Sequence, residues 1–250
     1  MSSTRGFSWV ADTGGCLSWG QRLAMLPPML PWLCDYVKGY VRLKLAMPQR
    51  SISIDVSTYE TPKSQLAAET RAACSEQPQL LTDHGERSWL IALALAAIDG
   101  CPFDQNGAEL LYCAALLHDY GLVHRGNSDF TLASARRAEE CAIAASLSAE
   151  NTRRLRDAIC VHPTIGISPE RDGPIGCYLQ WGAMADLAGM RRWELGRKNI
   201  SYLARSSSAK VQPCMARLIE QEAEAFRCGR FGLYCALGMT ALIRLAPKIA

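Results

Sequence analysis

The sequence predicts an all-α fold, and two patterns in its 250 residues carry that prediction. From Ser64 onward, apolar residues mostly recur at the spacings that place them on one face of a helix. Glycine, proline, asparagine and serine separate these stretches, as at Gly100 and Pro102. The predicted helices span about 64–76, 83–99, 106–120, 131–147, 149–161, 173–190, 212–227 and 230–245.

Residues 1–63 differ from the rest and are predicted to form an N-terminal arm and connector, with the helical domain at 64–250. The stretch from Leu23 to Met47 is apolar, but prolines and charges leave no run of about 20 apolar residues to cross a bilayer. One side of it carries Val37, Tyr40, Val41 and Leu45. This side fits a lid or a membrane-surface helix, and the alternative is that the stretch is an arm packed on the domain. In the connector, Ile52, Ile54 and Val56 alternate with polar residues, a pattern that allows a short strand-like segment.

Composition narrows the class of protein. With 49% hydrophobic residues the chain can bury a sizeable core, and a net charge of +3 without a basic tract argues against a nucleic-acid partner. The apolar N-terminal stretch lacks the basic start and small-residue cleavage site of a secretory signal, so it is not expected to act as one. The 11 cysteines include no CxxC pair and mostly lie among apolar residues, which indicates reduced thiols in a cytoplasmic protein. Homo-oligomer formation is left open.

The central motif is Glu109–Gly121, ELLYCAALLHDYG. Its apolar residues follow helical spacing, and Gly121 is the residue expected just past the helix. His118 and Asp119 stand side by side at the last turn, where burial of an imidazole and a carboxylate requires partners. A divalent metal is one partner that uses both.

Two other helices offer further ligands. His84 lies near the start of the 83–99 helix, and Asp186 lies on the apolar stripe of the 173–190 helix. Taken singly, His84 could be a helix-cap residue and Asp186 could be satisfied by an arginine. Together, His84, His118, Asp119 and Asp186 form a nitrogen and oxygen set suited to one divalent ion, with zinc as the first choice and manganese or iron as alternatives.

These residues and their surroundings resemble the HD-domain superfamily of metal-dependent enzymes. The order of the four candidate ligands is that of the family, and DHGERSW is similar to its histidine followed three residues later by an arginine, here Arg87. ELLYCAALLHDYGL is similar to its glutamate-led metal helix. The segments DFTLASARRA, AICVHP, GFSWVADTGG and FGLYCALGMTALIRLAPK resemble the cyanamide hydratase-like branch, so the resemblance covers nearly the whole chain.

The resemblance implies an HD-domain helical bundle with an N-terminal arm. It also implies a hydratase or hydrolase that uses a metal-bound hydroxide, held in part by Asp119, on a small uncharged substrate such as cyanamide or a nitrile. His162 in AICVHP would transfer protons, because the ordinary pKa of histidine straddles neutrality. The alternative is that His162 only ends a helix and has no catalytic role. Arg87 would orient the substrate or hold a carboxylate, or it would pair with Glu109.

Two other functions stay open. An HD-type phosphohydrolase of a nucleotide or phosphate ester is disfavoured, because the lysine that the family often carries soon after His-Asp is missing and Leu122 stands there. A non-catalytic HD module would use the metal only to hold helices together.

The remaining side chains receive accessory roles. His124 is interpreted as a loop histidine, Asp83 as an acceptor for His84, and Arg191–Lys198 as a solvated loop. The spacing does not decide which aromatic residues line the pocket among Trp89, Tyr120, Phe130, Tyr178 and Trp181.

Overall fold

The computed structural model describes residues 6–45, 47, 54–206, 208 and 210–249. This part of the chain is an all-α bundle without strands, which confirms the predicted fold class. Its α-helices are α1 Phe7–Thr13, α2 Trp19–Ala24, α3 Leu26–Lys44, α4 Gln65–Cys74, α5 Gln79–Ile98, α6 Gln105–Leu117, α7 Phe130–Ala144, α8 Ala149–Val161, α9 Pro169–Asp172, α10 Pro174–Ala188, α11 Gly196–Ala204, α12 Val211–Ala225, α13 Arg230–Ala236 and α14 Met239–Leu245. Short 3₁₀ turns lie at Val56–Thr58, Tyr120–Leu122 and Arg192–Glu194.

Helix α5 is the centre of the bundle and packs closely on α6 and α10. Two glycines make the approach close. A Cβ at Gly85 would lie 2.5 Å from the backbone oxygen of Ala115 on α6. A Cβ at Gly182 would collide with the backbone oxygen of Ser88. Only glycine permits these contacts. Because α5 lies this close to α6 and α10, His84 lies beside the C-terminal ends of both helices.

Helices α1 and α3 of the N-terminal arm each bury side chains against the domain. Helix α1 packs on α7 and α8, and the backbone N–H of Phe7 donates to Asp157 Oδ1 at 2.9 Å. Helix α3 buries Tyr36, whose hydroxyl donates to the carbonyl of Leu242 at 2.8 Å. The opposite side of α3 is apolar and exposed, as at Leu30 and Val37. The arm therefore packs with one face, while the lid and membrane-surface roles of the other face stay predictions.

Several local predictions were wrong. The predicted helix 230–245 is divided in two, because Gly238 adopts a left-handed φ of 89° between α13 and α14. The segment Arg191–Lys198 is not a solvated loop, since Arg192 is only 1% exposed and α11 begins at Gly196. In the connector, the described residues from Ile54 on form a 3₁₀ turn and not a strand, whereas Ile52 lies outside the described residues.

Other findings concern the membrane and the cysteines. Within the residues that the structure describes, no helix combines the length and the apolar character needed to cross a bilayer. All eleven cysteines are free, as the sequence indicates. Burial raises the pKa of Cys160 to about 12 and that of Cys113 further still, so neither thiol ionises near neutral pH.

A buried ion pair ties the start of α7 to α13. Nη2 of Arg230 donates to Asp129 Oδ1 at 2.9 Å, and Nε of Arg230 donates to Asp129 Oδ2 at 3.2 Å. Glu222 on α12 lies beside this pair and accepts from the backbone N–H of Phe130 at 3.0 Å. Burial is the main reason that the pKa of Glu222 is raised to about 7, and the Asp129 carboxylate adds to the effect.

The raised pKa of Glu222 predicts a pH-dependent stability. An unfolded glutamate ionises near pH 4.3, whereas the native protein keeps this proton up to about pH 7, so the free energy of unfolding falls as pH rises between these values. Glu222→Gln should remove this fall. The free energy of unfolding of the variant minus that of wild type should therefore be about 1–3 kcal/mol larger at pH 7 than at pH 4. Urea unfolding across this range measures the difference, with Glu224→Gln on the exposed side of α12 as the control. Parallel pH profiles for wild type and Glu222→Gln would contradict the assignment.

Candidate metal centre

Three side chains from two helix regions meet in the core. His84 lies in the second turn of α5, while His118 and Asp119 follow the last residue of α6. Their ligand atoms all lie within 4.8 Å of one another, and all three residues are buried. This group, called the triad below, could hold a metal ion.

Each histidine of this region is oriented by a hydrogen bond at Nδ1. The Nδ1 of His84 lies 2.6 Å from Asp186 Oδ2, and the Nδ1 atoms of His118 and His162 lie 2.7 and 2.6 Å from the carbonyls of Ala115 and Ile159. Carboxylates and carbonyls only accept, so Nδ1 carries the proton in all three rings. In the neutral rings, each Nε2 is left with a lone pair, the form in which histidine binds metals.

Local helix chemistry explains two of these orientations. The last carbonyls of a helix lack partners within the helix. His118 ends α6 and His162 ends α8, and each donates to the carbonyl three residues earlier. Both rings are thereby fixed at a helix end, and they meet edge to face with centroids 4.9 Å apart.

The donor spacing fits a small divalent ion. Nε2 of His118 lies 3.1 Å from Asp119 Oδ2, and Nε2 of His84 lies 3.8 Å from the same oxygen. Tetrahedral ligands at about 2.1 Å from zinc would be about 3.4 Å apart. Nε2 of His84 is buried and has no hydrogen-bond partner among the described residues, which is unfavourable without a ligand. The residues present therefore fit a metal ion.

The charges of the site also suit a cation. Burial alone would raise the pKa of Asp119, but His118 and then His84 lower it to about 2. Burial alone would lower the pKa of His118, but Asp119 outweighs burial and raises it. A carboxylate that remains ionised in a buried site attracts a positive partner.

Asp186 lies behind His84 and not within the triad. Its Oδ1 accepts from Nε of Arg87 at 2.7 Å, and its Oδ2 accepts from His84 and from Nη2 of Arg87 at 2.9 Å. Arg87 thus pairs with Asp186 and, in the described part of the chain, not with Glu109. In the described contacts Arg87 reaches His84 through Asp186, and its role in orienting a substrate stays a prediction. Direct metal ligation by Asp186 stays a prediction.

Asp186→Asn is expected to weaken metal binding by about 10–100-fold, the usual effect of removing an outer partner of a metal-bound histidine. The amide still fills the space, but it is uncharged and its NH2 group replaces one accepting oxygen, so it cannot satisfy His84 Nδ1 and both Arg87 donors at once. Competition with a chelating dye measures the affinity, and Asp99→Asn, which alters the ion pair of Asp99 with Arg191, is the control. Complete loss of binding would identify Asp186 as a direct fourth ligand, and unchanged affinity would contradict both roles.

His162 and the accessory residues take distinct places. His162 is 5% exposed and lines the same cavity as the triad. Burial and the neighbouring His118 lower its pKa to about 3, below the ordinary value of histidine, so its ring is neutral at pH 7; its role in proton transfer stays a prediction. His124 lies outside the site, where its Nε2 bonds the carbonyl of Glu76 at 2.7 Å. The sequence offered Asp83 as the acceptor for His84, but the acceptor is Asp186; Asp83 accepts from Gln79.

An apolar cavity adjoins the triad. Its wall comes mainly from α10, α12, α13 and α14, together with Trp32 of α3. The aromatic residues in the wall are Trp32, Phe231 and Tyr234, and none of the five offered by the sequence is among them. Helical spacing showed that α12–α14 are amphipathic but gave no sign that their apolar faces meet at the triad.

Comparison with known proteins assigns no family. No family model matches the chain, and no curated protein is similar enough to it to count as a relative.

Proposed function

We propose that this chain is a metal-dependent hydratase or hydrolase of the HD-domain superfamily, acting on an uncharged substrate of the nitrile or cyanamide type. The observation that carries the proposal is the buried triad, in which Nε2 of His84 has no hydrogen-bond partner in the described residues and lies 3.8 Å from Asp119 Oδ2. The order of His84, His118–Asp119 and Asp186 along the chain supports the family. Zinc is proposed because two imidazoles and a carboxylate with an open position form a common catalytic zinc site.

The residues take separate roles in this proposal. A bound divalent ion would lower the pKa of a coordinated water toward about 7 and so supply a nucleophile at neutral pH. Asp119 and the two triad histidines would hold the ion, and Asp186 with Arg87 would keep His84 in its Nδ1-protonated form. Nε2 of His162, with its lone pair, would accept a proton during attack on the nitrile carbon and return it to the nitrogen.

The cavity favours this proposal over the alternatives. Its lining contains no lysine or arginine among the described residues, so the metal ion alone would have to bind the charge of a phosphate ester. A structural metal site is normally closed by protein ligands. The triad instead opens onto a cavity, which supports catalysis over a purely structural role.

A single set of assays tests the proposal. Full-length protein purified without chelator is analysed for metal, then offered cyanamide, a short nitrile, a nucleotide set and a generic phosphodiester, each with and without chelator. We expect about one ion per chain and metal-dependent hydration of the uncharged compounds. Hydrolysis of the phosphate compounds alone would support the phosphohydrolase, and retained metal without any turnover would support the structural module.

A further inference from the structure

The cavity beside the triad has one polar end and a long apolar wall. The polar end is formed by His84, His118, Asp119 and His162. The wall is lined by the apolar side chains Trp32, Pro163, Ile165, Ala183, Met184, Leu187, Met215, Ile219, Phe231, Met239 and Ile243. The cavity thus separates a reactive end from a hydrocarbon-like end.

The two polar side chains of the wall, Gln180 and Tyr234, are both hydrogen-bonded to backbone groups of the protein. Nε2 of Gln180 donates to the carbonyls of His162 and Thr164, at 2.5 and 2.8 Å. The hydroxyl of Tyr234 accepts from the backbone N–H of Ile165 at 3.0 Å. No charged group is present in the described lining apart from the triad and His162. A charged ligand body would therefore lose its hydration without gaining a partner.

The size of the cavity exceeds what a cyanamide-sized molecule requires. The space open to the centre of a water-sized sphere is about 60 Å³, whereas a single water needs about 10–15 Å³ on the same measure, so the cavity holds a ligand of more than three water-sized groups. Cyanamide has only about three non-hydrogen atoms and no apolar part, so it would leave most of the apolar wall unused. Met184, Met215 and Met239 add flexible side chains that adapt to different hydrocarbon shapes.

We infer that the cavity binds the neutral hydrocarbon part of a larger substrate, whose single polar reactive group reaches the triad. This inference rests on the proposed function for the identity of the reactive group. The apolar recognition itself depends only on the wall. The substrate class is then an aliphatic or alicyclic nitrile-like compound, which should bind more tightly than cyanamide, and not a charged metabolite.

A chain-length series tests the inference on the full-length protein as purified. Propanenitrile, hexanenitrile and nonanenitrile are titrated calorimetrically, with and without added zinc. Affinity should rise about fourfold for each added methylene until the cavity is filled. The charged analogue 6-cyanohexanoate should bind at least about tenfold more weakly than hexanenitrile. Affinity independent of chain length, or equal affinity for the charged analogue, would overturn the inference.

A cavity-filling variant locates the binding. Ala183→Leu adds three carbons inside the space beside α10 and should weaken nonanenitrile binding by more than about tenfold, with little effect on propanenitrile. Ala241→Leu, on the exposed side of α14, is the matched control and should bind like wild type. Equal affinities for nonanenitrile in Ala183→Leu and wild type would contradict binding in this cavity. If Ala183→Leu fails to fold, the wild-type series still decides the question.

The outcome separates this inference from the proposed function. Chain-length-dependent binding without any metal-dependent turnover would support the apolar ligand and count against the enzyme. Metal-dependent hydration of cyanamide, with no gain in affinity or in kcat/KM along the nitrile series, would support the enzyme and overturn the apolar ligand.

Discussion

His118→Ala and Asp119→Ala are each expected to remove the metal and the activity together. Each change deletes one of three ligand atoms that lie within 4.8 Å of one another. The metal affinity should fall by more than the factor of about 10–100 that removal of an outer partner causes. Metal content after gel filtration and turnover of the best uncharged substrate should be measured on the same preparation of each variant.

Matched controls make this result specific. His124→Ala removes a histidine whose ring stacks on Tyr120 outside the site, and Asp83→Ala removes a partly exposed carboxylate of α5 that bonds Gln79. Both should keep the ion and the rate. Circular dichroism and thermal unfolding show whether the triad variants remain folded. A folded variant that loses the ion but keeps turnover would exclude metal chemistry at the triad.

His162→Ala is expected to keep the ion but slow turnover by about 10²–10⁴-fold, the usual contribution of a positioned acid or base. The His162 ring contacts that of His118 edge to face, yet its Nε2 does not belong to the group of ligand atoms that could share a metal. Its side chain lines the cavity where the substrate would lie. The proton-transfer role is thereby separated from ligation.

Metal content and rate of the His162 variant distinguish its possible roles. Loss of the ion would make His162 a ligand, and an unchanged rate would leave it as a helix-end residue that bonds the carbonyl of Ile159. His162→Gln, which keeps a polar side chain but cannot relay a proton as imidazole does, should be nearly as slow as the alanine variant. A rate close to wild type in His162→Gln would show that the position supplies only a hydrogen bond.

Much of the local architecture was predictable from the sequence. The helices from α4 to α8, together with α10 and α12, were all expected within a few residues of their observed bounds. The neighbouring pair His118–Asp119 at the end of an apolar helix predicted a buried polar cluster, and the structure brings His84 to it. The alternative that an arginine satisfies Asp186 is also realised, in Arg87.

The errors arose where local patterns compete with packing. The apolar residues of 230–245 predicted one helix, but the left-handed Gly238 divides it into α13 and α14. The basic composition of Arg191–Lys198 suggested solvent exposure, yet Arg192 is buried and donates to the carbonyl of Asp186 at 3.5 Å. The aromatic residues of the cavity could not be selected by periodicity, because helical spacing gives a face and not the neighbour of that face.

The sequence by itself determined the helical class and placed His118, Asp119 and His162 at helix ends, where their surroundings are set by bonds to residues a few positions away. Only the tertiary structure placed Asp186 on Nδ1 of His84, across 102 residues, and left Nε2 of His84 without a hydrogen bond in the described chain. It also brought the apolar faces of α10, α12, α13 and α14 together beside the triad. Helix periodicity and capping are properties of consecutive residues, whereas the choice of partner depends on how helices distant in sequence pack, as Gly85 and Gly182 allow α5 to do.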